Sequence, residues 1–341
     1  MWCLLAFSCV HTFVEDDSHR YTWSLPAHFA FLSYLRNLMT HNSQALLLIV
    51  LFLLPFVANT QQIAITFDDV PTHDTPLFRH AERAAKIREH LAAYKVSSAF
   101  FVITGSVTEQ NASQLLAYTK AGHVLANHSH SHLSPSRISA ATYIRDLNKA
   151  DSVMKSLPGA ESWYRYPFLN EAPTREKRDS IRQALNVLGL SNGYVTVDNY
   201  DWFINGELVS ALRNGKKIDY DRLRKVYIDH IINSILFYDS IGVAVLGRSP
   251  RHVLLLHEND LAALYLGDLL KTLRSKGWSF VSPAEAYRDE ISDIVPDVLF
   301  NGQGRLGAIA YSKGIPAREL VQASEDEDYL RKLLAEARVF Y

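Results

Sequence analysis

Between residues 63 and 288 the chain alternates short apolar runs with stretches of helical period, and this rhythm constrains the fold most. The apolar runs are residues 63–67 (IAITF), 98–104, 123–128, 163–167, 194–197, 252–257 and 278–281. Each is too apolar to face water, so each reads as a buried strand. Helical spacing fills the intervals, at 79–94, 113–121, 140–157, 174–188, 222–238, 261–276 and 283–288. Strand–helix alternation of this kind predicts an α/β fold, with a parallel sheet covered by helices. With about seven consecutive units, a closed or nearly closed barrel is favoured over an open sheet.

Two segments break the rhythm. Residues 203–221 read as a polar excursion, containing Gly206, Asn214 and Gly215, which overhangs the barrel mouth or lies on the surface as a solvated loop. Beyond Ile291 the pattern dissolves into a tail, 292–341, with one late helix over 325–339. Ser324 and Glu327 fit a capping box for it, and Leu330, Leu333, Leu334 and Ala337 form an apolar face that docks on the barrel. Residues 61–291 are then the barrel domain.

The chain has 341 residues, 48% hydrophobic, with a net charge of −1, so nothing electrostatic points to nucleic acid or an anionic membrane as partner. Cys3 and Cys9 are its two cysteines. Any metal site in the folded part must therefore use histidines and carboxylates. Residues 45–58 (ALLLIVLFLLPFVA) have the length of a signal-peptide core, with Ala58-Asn59-Thr60 as the cleavage region. Residues 1–60 are accordingly expected to be a leader, starting at Met1 or at Met39, that exports the domain to the periplasm or beyond. An uncleaved membrane anchor is the rival reading.

Polar residues gather just after the strands. Asp68 and Asp69 follow the first, His128 and His132 the third, and Asp198 and Asp201 the fifth; Arg165 lies in the fourth and His257 ends the sixth. In a βα barrel these positions share the C-terminal mouth, where active sites of this architecture sit. Singly each has a dull alternative: an Asp-Asp pair is commonly a turn or cap, and a lone histidine a core residue. Two histidines four apart can close on one divalent ion from a single turn of chain. The GQGRLG of residues 302–307 matches a dinucleotide pattern but lacks the strand-to-helix setting that would make it one. Asn111 and Asn127 sit in glycosylation sequons, the second inside the proposed metal site and so accidental.

Five ordered motifs carry a resemblance to a known family. They are Thr66-Phe67-Asp68-Asp69, His128-Ser129-His130-Ser131-His132, Arg165-Tyr166-Pro167-Phe168, Asp198 to Trp202, and Leu255-Leu256-His257. From about Ile63 to Arg288 the sequence resembles the polysaccharide deacetylases with a NodB homology domain, the fourth carbohydrate-esterase family. The resemblance implies a distorted (β/α) barrel with fewer than eight regular strands. It implies hydrolytic removal of acetyl groups from N-acetylated amino sugars, as in chito-oligosaccharides, peptidoglycan or another envelope glycan. Metal ligands are then Asp69, His128 and His132. Asp68 is general base and His257 general acid, oriented by Arg165 and Asp201 respectively. Phe168 (through its backbone N–H), Trp202 and Leu255 meet the substrate. The ion is most simply Zn2+, with Co2+, Ni2+ or Mn2+ also compatible with the ligand set. His130 is expected in solvent or behind the ligands. Val70 stands where the family has glycine and Phe168 where it often has tyrosine, which leaves the substrate open. A small non-carbohydrate amide, or an idle glycan-binding envelope protein, are the alternatives.

Overall fold

A computed structural model describes residues 61–341; the expected leader over 1–60 and both cysteines lie outside the described residues. The first strand, β1 (Gln62–Val70), is central, and its apolar residues are almost wholly buried. It pairs in parallel with β2 (Ser98–Val102) on one side and β6 (Arg251–His257) on the other. From β2 the sheet continues through β3 (Val124–Asn127) and β4 (Ala160–Tyr164) to the two-residue β5 (Ser191–Asn192). A short β7 (Ser279–Phe280) pairs with the start of β1. All the named pairings are parallel, as the strand–helix alternation predicted, although β4 opens with three exposed residues.

The ring is closed by one stretch of chain. Ser191 and Asn192 pair with Trp163 and Tyr164 of β4. Five residues on, the N–H groups of Thr196 and Val197 donate to Val253 O, and Leu255 N–H donates to Val197 O, each at 3.1 Å. Residues 191–197 thus reach both edges of the sheet, and the fold is a distorted (β/α) barrel. The expected strand over 194–197 is accordingly corrected to 191–192 plus a single bridge at Val197. β4 begins right after the Pro158-Gly159 turn and ends at Tyr164, so Arg165 follows this strand instead of lying within it.

The crossover helices are α1 (His80–Tyr94), α2 (Glu109–Lys120), α3 (Ala140–Met154) and α4 (Arg175–Leu188). After β5 come α5 (Asp201–Arg213) and α6 (Tyr220–Leu246), and then α7 (Asp260–Ser275) and α8 (Pro283–Ala286). The expected polar excursion at 203–221 is mostly wrong: α5 occupies its first half and buries Phe203, Ile204, Leu208 and Ala211. Gly206 disguised this helix, yet it sits on the exposed face, where glycine weakens a helix without breaking it. By length and hydropathy α6 would suffice to cross a membrane, but more than half of its apolar window is buried inside the fold. It runs eight residues beyond the expected end at 238.

The tail is more structured than the sequence suggested. A helix missed in reading, α9 (Gly304–Ser312), begins within GQGRLG, and α10 (Glu327–Glu336) follows. The N-cap of α10 is Asp326, whose side chain accepts from Tyr329 N–H; the expected capping box of Ser324 with Glu327 is not formed. Leu306, Ile309, Leu330, Leu334 and Val339 join the same apolar core as β1, β6 and α7. Burying one such leucine contributes roughly 2 kcal/mol, so the tail is held by core packing.

Candidate active site

Each motif of the sequence falls at the C-terminal end of its strand. Asp68 is paired in register with His257 across β1 and β6. Asp68 is buried, and its Oδ1 accepts from Arg165 Nη1 at 2.5 Å. Arg165 is wholly buried; Nη1 also donates to Thr66 Oγ1 at 2.9 Å, Nε to Gly193 O at 2.8 Å and Nη2 to the Tyr287 hydroxyl at 3.1 Å. Its guanidinium lies 3.7 Å from the centroid of the Phe101 ring. A guanidinium held on so many sides has one position, and so therefore does Asp68 Oδ1.

The histidine loop is built with equal economy. Asn127 Oδ1 accepts from Ser129 N–H at 2.8 Å, and Ser129 Oγ from His132 N–H at 3.0 Å. Asp146 of α3 accepts from the N–H groups of His130 and Ser131. His130 faces away from the cluster, with Nδ1 2.9 Å from Thr104 Oγ1, in the supporting role that was one of its two expected places. Gly105 passes so close that a Cβ there would stand 2.4 Å from His130 O. Asp69, Ser129, His132, Phe168 and Leu169 all take left-handed backbone conformations, which side chains other than glycine adopt only at a cost. That strain is concentrated on the residues around the cluster.

Asp69 Oδ1 is the focus. It is inaccessible to water and accepts no hydrogen bond, while His128 Nε2 lies 3.5 Å and His132 Nε2 3.3 Å away. His128 Nδ1 faces Arg165 O at 2.9 Å, so in the neutral ring the proton sits there and Nε2 carries the lone pair. Burial, then the neighbouring His128, lower the His132 pKa to about 4, so this ring is neutral near pH 7. Burial pushes the Asp69 carboxyl up, but the charged His257, first among the neighbouring histidines, outweighs it and lowers its pKa. A carboxylate and two imidazole lone pairs converging on one point, with no donor among them, fit a cation.

His257 stands across the mouth, Nε2 4.0 Å from Asp69 Oδ2. Asp201, fully buried at the start of α5, takes His257 Nδ1 at 2.6 Å and His257 N–H at 3.0 Å, and Asn259 Nδ2 donates to the same carboxylate at 2.9 Å. Burial opposes the charged imidazole, but Asp201 and then Asp69 and Asp68 prevail and raise its pKa to about 10.

Residues 57–193 match the family model for polysaccharide deacetylases. Over that stretch the chain is similar to the polysaccharide deacetylase family. The match takes in Asp68, Asp69, His128, His132, Arg165 and Phe168, whereas Asp201, Trp202, Leu255 and His257 lie beyond it and rest on geometry. A peptidoglycan-N-acetylglucosamine deacetylase of Bacillus cereus is 24% identical over 144 residues, 42% of this chain and 47% of that protein. A bifunctional xylanase/deacetylase of Pseudobutyrivibrio xylanivorans is 27% identical over 113 residues, 33% of this chain and 17% of that one. The aligned segments thus span about half, or less, of these relatives' length. The solved peptidoglycan deacetylase of Bacillus subtilis is 21% identical, with a TM-score of 0.46, covering 67% of this chain and 90% of that one.

The three apolar residues expected at the substrate are placed less uniformly. Phe168 is exposed and packs its ring against His132, 4.6 Å between centroids. Trp202 is also exposed, resting on Tyr200 and Phe203. Leu255 is buried yet belongs to none of the apolar clusters. Residues that sequence reading missed are the supports: Tyr287 for Arg165 (beside Thr66 of the first motif, whose contact was unread), Asp146 and Gly105 for the histidine loop, Asn259 for Asp201. Their partners are remote in sequence, so no local pattern announced them. Asn111 and Asn127 are both buried and hydrogen-bonded, and neither is open to glycosylation.

Proposed function

We propose that the protein is a metal-dependent hydrolase that removes acetyl groups from N-acetylated amino sugars, outside the cytoplasm. One observation carries the reading. Asp69, His128 and His132 converge as a donor-free cation site with a second carboxylate, Asp68, on one side and a charged imidazole, His257, on the other. Amide hydrolysis asks for that set. A divalent ion held by the three ligands would supply Lewis acidity at the acyl carbonyl and make water more acidic there. Asp68, with Oδ1 clamped by Arg165, keeps Oδ2 free to take a proton from the attacking water. His257, held charged by Asp201, donates a proton to the departing amine nitrogen, and its Nδ1–H stays on Asp201 throughout. Arg165 prevents Asp68 from turning away. The exposed rings of Phe168 and Trp202 offer apolar faces for a pyranose, and Leu255 a wall for the acetyl methyl. The family and its deacetylase relatives support a glycan substrate. The test is acetate release from N-acetylglucosamine oligomers against simple N-acetyl amides. Release from the amides alone would replace the glycan with a small amide.

A further inference from the structure

The tail beyond β7 makes buried polar contacts that core packing alone does not call for. One face of α6 carries His230, Ser234 and Tyr238, at intervals of four residues, all buried. His230 Nε2 accepts from Tyr200 N–H at 3.3 Å, in the loop that leads into Asp201. Ser234 Oγ donates to Gln322 Oε1 at 2.8 Å. The Tyr238 hydroxyl lies 2.7 Å from Gln303 Oε1 and 2.8 Å from Glu325 Oε1. A single hydroxyl proton cannot satisfy both acceptors, so a proton on Glu325 or a turned Gln303 amide completes the set. Burial raises the Glu325 pKa to about 7, against the hydrogen bonds from Tyr238 and Gln303 that favour its carboxylate. Asp198 faces the same seam, its carboxyl pushed up by burial and then by Glu325. The loop itself is tied down by Asn199, whose Nδ2 donates to Leu255 O at 2.6 Å and whose Oδ1 accepts from Asp201 N–H at 3.0 Å.

We propose that the C-terminal segment positions the general acid: Gln303 and Glu325 grip Tyr238, and through α6 and residues 198–200 they fix Asp201 against His257. Glu325 is on this account a positioning residue, and the role given to His257 rests on the deacetylase reading. A carboxylic acid at this point is replaceable by an amide of the same shape and not by an apolar chain. Fixing Asp201 matters because a displacement of about 1 Å at a reacting group costs up to ~100-fold in rate.

The experiment compares Glu325→Leu, Glu325→Gln and Tyr238→Phe in the full chain. It has two readouts: kcat and KM on N-acetylglucosamine oligomers, and hydrogen–deuterium exchange of the amides of residues 198–203 and 257. Glu325→Leu is expected to lower kcat about tenfold with KM within about twofold, and to speed exchange in the loop and at His257. Glu325→Gln stays near the parent protein in both. Tyr238→Phe, which deletes one oxygen, repeats the Leu result if that variant does not fold. Unchanged kcat and loop protection in Glu325→Leu or Tyr238→Phe, with only a lower melting temperature, would overturn the proposal. If the parent releases no acetate, the deacetylase reading fails by itself, and exchange in the loop still decides whether the tail positions it.

Discussion

Asp201→Asn isolates the charge that sets the acid. Both Asp201 oxygens accept hydrogen bonds, Oδ1 from His257 Nδ1–H and Oδ2 from His257 N–H and Asn259. An amide has one oxygen, so it can keep the two bonds at Oδ2 only by turning its NH₂ toward Nδ1. That would move the imidazole proton to Nε2 and leave a neutral ring. The electrostatic change is larger. In the parent the pKa is raised from 6.5 to about 10, with Asp201 the strongest favourable influence against burial. The sign follows directly: the charged acid is present below about 10 and lost above it. Without Asp201, burial should carry the value to 6.5 or lower. At a pH of about 8 the protonated fraction would then fall from ~99% to ~3%, a loss of about 30-fold from proton inventory alone. A cation on Asp69 offsets that carboxylate's share in both proteins, so the displacement of the alkaline limb is the quantity to measure. The assay is kcat/KM for acetate release from about pH 5 to 10, with melting curves to confirm folding. We expect the limb to move down by at least about two units, with activity largely recovered on the acid side. A folded Asp201→Asn protein whose limb stays put would refute the assignment of His257 as an acid tuned by Asp201.

Further outcomes follow from the same geometry. Asp68→Asn should lower acetate release at least ~100-fold while metal binding by titration calorimetry persists, since Asp69, His128 and His132 are untouched. Gly105→Ala should weaken metal binding by about tenfold or more, because a Cβ 2.4 Å from His130 O displaces the histidine loop; equilibrium titration with Zn2+ measures it. Leu334→Ala, at a buried site on α10, should cost about 2–4 kcal/mol in urea unfolding. A cost near zero would mean that the tail is not part of the cooperative core.

The barrel and its mouth were legible because burial writes itself locally. A strand covered on both faces must be a run of apolar residues, and a strand end that feeds an active site must turn polar at once, as Phe67 to Asp68 and Leu256 to His257 do. What stayed hidden depended on tertiary context. Residues 191–197 close the ring by pairing with two different strands, which no spacing along one segment encodes. The α5 helix was masked by Gly206, and α9 by a glycine-rich start that serves as its first turn. Arg165 was found by its motif, but Tyr287 and Gly193, which hold it, come from distant parts of the chain. The polar stripe of α6 lies among so many apolar neighbours that it reads as core until the tail is seen to cover it.

The central claim is that the ion-binding cluster and its two flanking groups hydrolyse an acetamide on a sugar. The direct measurement is acetate release by the purified protein from N-acetylglucosamine oligomers, made before chelation, after it, and after re-addition of Zn2+. The account predicts release that stops on chelation and returns with about one ion per chain. Release that continues undiminished once the metal is gone would contradict it, as would no release from a protein shown to hold its ion.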